Sequence, residues 1–237
     1  MQPVARVSTC YPEKFGVPRQ SGLVPGARAR LVFEPQFRNP ESVRGLDGFS
    51  HLWLLWIFSE NLREGWSPTV RPPRLGGNVR MGVFATRAPY RPNPIGLSAV
   101  RLDRVEMHSR DGPVLHLSGV DLVNGTPILD IKPYLPYGDC HPDAVGGFAS
   151  APAGADCIPE ASGGFTSSPF QRLEVEIPLE LAASVPPEEL AALKDTLSLD
   201  PRPQYQDDPE RVYGLSFSGW EIKFRVEGVR LYVLALS

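Results

Sequence analysis

Proline and glycine recur so often along this chain that long helices are excluded. The 237 residues include 26 prolines and 22 glycines, and both residue types interrupt helices. Repeated short strands separated by Gly/Pro turns are typical of an antiparallel sheet or barrel. The short apolar runs between these interruptions predict strands at residues 4–7, 29–33, 51–58, 81–85, 97–105, 114–120 and 127–131. The run HLWLLWIF (51–58) is apolar throughout, so we expect it to be covered on both faces.

The composition changes after residue 138, which predicts a second module. Residues 139–169 are rich in Gly, Ala, Ser and Pro and have no periodicity, as expected for a long loop or linker. Residues 170–177 then alternate like a strand. Residues 187–197 predict a helix with two glutamates in its first turn, where the helix dipole favours acids. Alternation at 220–226, a turn at Gly228 and an apolar run at 231–236 predict two further strands.

The formal charge of −3 conceals an uneven distribution. Residues 1–138 hold 17 Lys and Arg against 11 Asp and Glu, whereas residues 139–237 hold 7 against 16. A polyanionic partner would therefore meet the first part of the chain. The sequence has no apolar stretch long enough for a bilayer and no signal core, so we expect a cytoplasmic protein without a membrane partner. Three scattered cysteines predict neither a disulfide framework nor a metal site.

The segment 71–96, RPPRLGGNVRMGVFATRAPYRPNPIG, is the densest candidate for chemistry, with five arginines and four glycines. A stiff loop that holds Arg87 and Arg91 beside Tyr90 and Asn93 would suit a nucleotide, since arginine and tyrosine stack on bases and an amide binds a base edge. A proline-rich surface loop with solvated arginines is an equally good interpretation. Asn93-Pro94 could hold an adenine amine through an amide oxygen and a backbone carbonyl, although this dipeptide more often forms a turn.

A second candidate region spans residues 121–139. Asn124-Gly125 predicts a hairpin turn, and the strand after it places Asp130, Lys132 and Tyr134 on one side. An acid and a base in this arrangement usually form a structural ion pair. In a functional site, Asp130 could orient an amine or a ribose and Lys132 could bind phosphate. Dinucleotide, P-loop and nucleophile-elbow motifs are absent from the sequence.

Seven motifs, taken together and in order, give the chain a recognisable resemblance. They are VPRQ (17–20), GFSHLW (48–53), RPPRLGGN (71–78), RMGVFATR (80–87), RPNPIG (91–96), DIKPYLPY (130–137) and DPRPQY (200–205). The chain resembles the TrmO (YaeB/TsaA-like) family of tRNA methyltransferases over residues 4–138 and 170–236. The resemblance implies a mainly β protein with an N-terminal antiparallel β-barrel that binds S-adenosyl-L-methionine (SAM) instead of a Rossmann fold. It also implies a small C-terminal α/β domain and a homodimer with the site near the subunit interface.

The domains expected from this resemblance are a catalytic barrel at 1–138, a linker at 139–169 and the C-terminal domain at 170–237. The implied activity is methylation of N6 of N6-threonylcarbamoyladenosine, next to the anticodon and chiefly in tRNA-Thr. Carried over by motif, the SAM contacts are Pro18, Arg19, Gln20, Ser59, Glu60, Arg87, Leu97, Asn124, Gly125, Thr126 and Pro127. Relatives often have His-Gln at 59–60, Asp at 124 and Ser at 88, where this chain has Ser59-Glu60, Asn124 and Ala88.

These observations support two hypotheses of different classes. In the first, the chain is a methyltransferase in which Asn93 holds N6 and Asp130 is a hydrogen-bond or base partner. Arg91, Lys132 and Tyr134 would then bind the modified nucleotide in the anticodon loop, whose threonyl carboxylate suits an arginine fork. In the alternative, the chain is a non-catalytic SAM-sensing or RNA-binding module. Methyl transfer to tRNA distinguishes the two.

Overall fold

Six strands of the first part close into an antiparallel barrel. The computed structural model describes residues 1–61, 65–72, 75, 78–149, 172–202 and 208–237. The barrel strands are β1 (Ala5–Thr9), β2 (Arg28–Phe33), β3 (His51–Ile57), β6 (Ile95–Ser109), β7 (Gly112–Ser118) and β8 (Pro127–Pro133), and a separate ribbon pairs β4 (Thr69–Val70) with β5 (Met81–Gly82). Around the barrel the order is β1-β2-β7-β6-β3-β8. The predicted antiparallel β-barrel is confirmed.

Six of the seven strands expected in the barrel part are confirmed, and the seventh is only partly right. The prediction at 81–85 ends as a strand at Gly82, because Val83–Ala85 forms a 3-10 helix. The backbone N–H of Thr86 donates to the carbonyl of Val83 at 3.2 Å, and its hydroxyl donates to the same carbonyl at 2.9 Å. The carbonyl of Val83 thus accepts both of these hydrogen bonds and closes the turn that follows β5.

Strand β3 is buried on one face only. Leu52 and Leu54 are fully buried inside the barrel, whereas Trp53 and Leu55 are half-buried and His51 is exposed. The expectation of full cover on both faces was therefore wrong for the outer face. On that face the ring of Trp53 packs on Tyr134, with ring centroids 5.4 Å apart. The rest of the outer face, which includes Leu55, stays partly exposed to solvent.

The second part is a four-stranded sheet with helices. The one-turn helix α1 (Pro136–Asp139) follows the barrel. The elements of the second part are β9 (Glu174–Glu176), α2 (Leu179–Ala182), α3 (Pro187–Ser198), β10 (Tyr213–Phe217), β11 (Trp220–Glu227) and β12 (Arg230–Leu236). The sheet order is β10-β11-β12-β9, with β12 and β9 parallel. The predicted helix and the last two strands are confirmed, whereas β10 and α2 were not predicted. Residues 150–169 of the predicted linker, and residues 170 and 171, lie outside the described residues.

Buried residues of the two parts form one contiguous cluster. Tyr11, in the loop after β1, is fully buried, and its hydroxyl lies 3.2 Å from the hydroxyl of Thr196 in α3. Its ring meets Phe217 edge-on at 5.6 Å. A Cβ added to Gly16 would lie 2.2 Å from Leu215. The second part therefore packs against the loop that joins β1 to β2 and holds that loop in place. No helix in the described parts of the chain is long and apolar enough to cross a membrane.

Candidate functional site

Three long connections meet at one end of the barrel, which we call the loop end. The pairings of Thr9 with Ala29, Arg28 with Ser118, Ile57 with Ile95 and Trp56 with Ile128 bring the ends of β1, β3 and β7 beside the starts of β2, β6 and β8. Residues 10–27, 58–94 and 119–126 therefore leave the barrel on the same side. These connections, with the first residue of β8, carry ten of the eleven predicted SAM contacts, namely Pro18, Arg19, Gln20, Ser59, Glu60, Arg87, Asn124, Gly125, Thr126 and Pro127.

The β1–β2 connection contacts both of the other connections. The guanidinium of Arg87 donates to the side-chain oxygen of Gln20, and the ammonium of Lys14 donates to the carbonyl of Glu60. The backbone N–H of Asn124 donates to the carbonyl of Tyr11 at 2.7 Å. Segments that are distant in sequence are thus brought together by direct hydrogen bonds.

The turn at Asn124-Gly125 is present, but it is not a hairpin. Gly125 has a φ of +81°, a conformation that glycine adopts without steric cost. Strand β7 pairs with β2 and β6, and β8 pairs with β1 and β3, so the turn does not join neighbouring strands. It packs instead on β1, where the side-chain oxygen of Asn124 accepts from the N–H of Thr9 at 3.1 Å and the N–H of Gly125 donates to Val7 at 2.8 Å.

An acid that was missed in the sequence, Asp121, lies beneath these loops; the residue is half-buried, and its Oδ1 is shielded from solvent. Burial raises the pKa of its carboxyl to about 6, against the opposing effects of hydrogen bonds from the Ser98 hydroxyl and the Ser21 backbone and of the charge of Arg87. Its Oδ1 is buried and accepts no hydrogen bond from the described residues. The indole N–H of Trp56 donates to the Ser98 hydroxyl at 3.0 Å. An isolated acid in the apolar run VDLV was the available signal, since such acids are rarely buried without a functional or paired role.

The remaining predicted residues of β6 and β8 lie on the outer wall of the barrel. Leu55 pairs with Leu97 on one side and with Asp130 on the other, so these three side chains form a row across three strands. Leu97 is 50% exposed. The ammonium of Lys132 lies 3.0 Å from a carboxylate oxygen of Asp130. The structural ion pair expected from the sequence is thus present on a surface that faces solvent.

Tyr134 lies at the far end of β8 from the loop end. Its backbone N–H donates to the carbonyl of His51, the first residue of β3, at 3.0 Å. Strand β8 has seven residues, which corresponds to about 20 Å at the usual rise per residue. Within one chain, no hydrogen bond among the described residues joins Asn93 to Asp130, Lys132 or Tyr134.

Arg91 and Asn93 both lie at the loop end, but Arg91 is held by hydrogen bonds within its loop and Asn93 is exposed. Arg91 is fixed by its own loop, because one guanidinium nitrogen donates to the carbonyls of Val83 at 3.0 Å and Thr86 at 2.7 Å. The side chain of Asn93 is exposed. The carbonyl of Pro94 accepts from the N–H of Phe58 at 2.9 Å, so the backbone half of the predicted amine-binding pair already holds one hydrogen bond and has one lone pair left.

Comparisons with known proteins match both parts of the chain. The tRNA-methyltransferase O N-terminal domain model matches residues 6–140, and the TrmO C-terminal domain model matches residues 171–237. The chain belongs to the TrmO family. No group of three or more His, Cys, Asp or Glu side chains in the described ranges is arranged to hold a metal ion.

Individual TrmO relatives match nearly the whole chain. The tRNA (adenine(37)-N6)-methyltransferase of Escherichia coli K12 is 43% identical over 230 residues, which cover 96% of this chain and 93% of that protein. A protein of Pseudomonas aeruginosa whose name assigns it to the SAM-dependent methyltransferases is also 43% identical, over 94% of this chain and 89% of its own length. The crystal structure of TrmO from Pseudomonas aeruginosa superimposes with a TM-score of 0.74 at 32% identity, over 100% of this chain and 96% of that one.

Proposed function

We propose that this TrmO-family chain is a SAM-dependent tRNA methyltransferase. It methylates N6 of N6-threonylcarbamoyladenosine at position 37, the position in the name of the Escherichia coli relative, and its expected substrate is tRNA-Thr in the cytoplasm. The convergence of the predicted SAM contacts at the loop end carries this proposal. Two of these contacts, Gln20 and Arg87, form a hydrogen bond although they come from different connections, and Asn124 is hydrogen-bonded to the β1–β2 connection through the carbonyl of Tyr11.

The side chains at the loop end fit SAM chemically. SAM has a carboxylate, an ammonium and a sulfonium, and when bound it supplies an activated methyl group. Arg87 offers a guanidinium that suits the carboxylate, and Gln20 offers an amide beside it. The buried Oδ1 of Asp121 is an acceptor without a partner among the described residues, which a ligand ammonium or amine would satisfy. Leaving such an atom unsatisfied is costly, so a donor from the ligand explains its position.

The substrate nucleotide is held by Asn93 and by the outer wall of the barrel. The exposed side-chain oxygen of Asn93 accepts the hydrogen of N6 and aligns the nitrogen lone pair with the methyl group; this alignment is the main requirement of an in-line transfer. Bound SAM would supply the methyl group to this nitrogen, and the carboxylate of Asp130 would accept the single N6 proton, which Asn93 holds by a hydrogen bond until it is released. Lys132 and Arg91 bind the threonyl carboxylate, and the ring of Tyr134 stacks on the base.

The distance between these groups supports a homodimer. Tyr134 lies about 20 Å along β8 from the loop end, and Asp130 and Lys132 lie between them on the outer face. One nucleotide can contact both sets only if they come from two protomers. We therefore propose that the outer wall of one protomer faces the loop end of its partner.

The role of Asn93 is tested by kinetics with methyl-labelled SAM and tRNA. We expect Asn93→Ala to lower kcat by roughly 100-fold or more, because the positioned acceptor is lost, while the Kd for SAM stays close to that of the wild type. Asn39→Ala is the matched control, because that side chain caps a 3-10 helix at the other end of the barrel. Equal losses of turnover and SAM affinity would contradict the role of Asn93. A wild-type protein that binds both ligands but leaves no label in tRNA would favour the non-catalytic alternative.

A further inference from the structure

Two aromatic rings in the connection 58–94 are stacked on each other and open to solvent. The rings of Trp66 and Phe84 have centroids 6.1 Å apart and an interplanar angle of 26°. Trp66 is 49% exposed and Phe84 is 69% exposed. The β4–β5 ribbon holds the two segments together, and the N–H of Val83 donates to the carbonyl of Pro68 at 3.0 Å. Large exposed apolar groups that adjoin one another mark interaction surfaces in soluble proteins.

A fixed arginine completes this surface. The guanidinium carbon of Arg91 lies 5.4 Å from the centroid of the Phe84 ring, and two carbonyl acceptors hold one of its nitrogens. The cation and both rings are therefore arranged before any ligand binds, which lowers the entropic cost of binding. We call Trp66, Phe84 and Arg91 the aromatic platform.

The charge around the aromatic platform is positive. Residues 65–102 contain six arginines and no acidic residue, and Arg71, Arg80 and Arg87 are exposed. Aromatic rings beside arginines in a positively charged groove are the usual means of binding single-stranded nucleic acid, since every base has a face that stacks and every phosphate attracts the cations.

We propose that the aromatic platform binds an unpaired base of the RNA substrate next to the methylated nucleotide, while the surrounding arginines bind the adjoining phosphates. This inference rests on the proposed function, because it identifies the part of the protein that holds the anticodon loop. The platform lies in the connection that also carries Asn93. A base stacked on Phe84 would therefore be a near neighbour, in the RNA sequence, of the nucleotide that Asn93 holds.

Substitutions at Phe84 test whether the ring stacks on a base. The probe is a fluorescein-labelled anticodon stem–loop RNA, and its Kd is measured by anisotropy alongside kcat, KM and the oligomeric state. Phe84→Ala and Phe84→Leu should weaken RNA binding by roughly 5- to 150-fold, the range for loss of one stacked base, whereas Phe84→Tyr keeps the stack and should stay close to the wild type. Leu179→Ala is the control, since Leu179 is 88% exposed in the second part of the chain, and it should change nothing.

Three outcomes would overturn the proposal. RNA binding by Phe84→Ala equal to that of the wild type would show that no base stacks on Phe84. Retained affinity in Phe84→Leu would show that bulk and not an aromatic face is required. Dissociation of an oligomer by Phe84→Ala, with unchanged RNA affinity, would identify the surface as a contact between two copies of the chain.

The same measurements separate this inference from the proposed function. A wild-type protein that methylates tRNA, and whose RNA affinity does not depend on Phe84, refutes the platform alone. A wild-type protein whose RNA affinity depends on Phe84, but which transfers no methyl group, refutes the methyltransferase function and leaves the platform as an RNA-binding surface.

Discussion

Replacing Asp121 with Asn should stabilise the protein while weakening SAM binding. Burial raises the pKa of this carboxyl from 3.8 to about 6, and the nearby charge of Arg87 only partly offsets that effect. Burial is the main cause that raises the pKa of the nearby Tyr11, and the charge of Asp121 raises it further. An acid whose pKa is raised by folding stabilises the native state when protonated, and that stability is lost as the pH rises through the folded pKa.

The magnitude follows from the two pKa values. The buried carboxyl lowers the free energy of unfolding by about 2 kcal/mol at pH 5 and by about 3 kcal/mol at pH 8. Asn carries no charge at either pH, and any hydrogen bond lost from Ser98 or Ser21 costs the same at both. The difference in stability between Asp121→Asn and the wild type should therefore grow in favour of the variant by about 1 kcal/mol between pH 5 and pH 8.

Urea unfolding without ligand at the two pH values measures this difference, and calorimetric titration with SAM measures the functional cost. Asp47→Asn is the control, because Asp47 is an exposed acid elsewhere on the barrel, and it should leave the affinity for SAM unchanged. A variant that gains stability and loses SAM affinity would show the trade-off expected when a strained group serves binding. A pH-independent difference, or unchanged SAM affinity, would refute this account of Asp121.

Two further substitutions test the packing that positions the loop end. Gly96→Ala should lower the free energy of unfolding, measured in urea, by about 1–3 kcal/mol, because a Cβ there would lie 2.2 Å from the ring of Trp56. The control Gly82→Ala should show no such loss, since Gly82 has open space around it. Tyr11→Phe removes the buried hydroxyl contact with Thr196 and should cost about 1 kcal/mol in the same assay; a neutral result would mean that this contact does not help to hold the two parts together.

The barrel strands were predictable because their patterns are local. Alternation in β2, and in β11 of the second sheet, shows in the sequence which side chains face the core. The uniform apolar run of β3 predicts the strand but not which of its faces is buried. Strand β10 was missed because it has only five residues and includes Gly214, a residue type with low strand propensity, although its apolar residues alternate as in β11. The hairpin at Asn124-Gly125 was wrong for another reason. A dipeptide determines the local turn, but the pairing of the strands on either side depends on the closure of the whole barrel.

The candidate site was predictable where it depends on motifs and not where it depends on burial. Gln20 and Arg87 come from motifs 67 residues apart and form a hydrogen bond. Asp121 owes its raised pKa to burial beneath the loops, which outweighs the lowering effect of the hydrogen bond from Ser98 on another strand. The run VDLV shows an acid among apolar residues, but it does not show this burial. The stack of Trp66 on Phe84 likewise requires the β4–β5 ribbon to bring two separate segments together.

Nucleoside mass spectrometry tests the central claim most directly. Purified protein, methyl-labelled SAM and tRNA-Thr that carries N6-threonylcarbamoyladenosine would be incubated, and the RNA would then be digested to nucleosides. We expect one labelled methyl group on N6 of that nucleoside with the wild type, and almost none with Asn93→Ala. Unlabelled RNA after incubation with wild-type protein that binds SAM, or label on a different nucleoside, would contradict the proposed reaction.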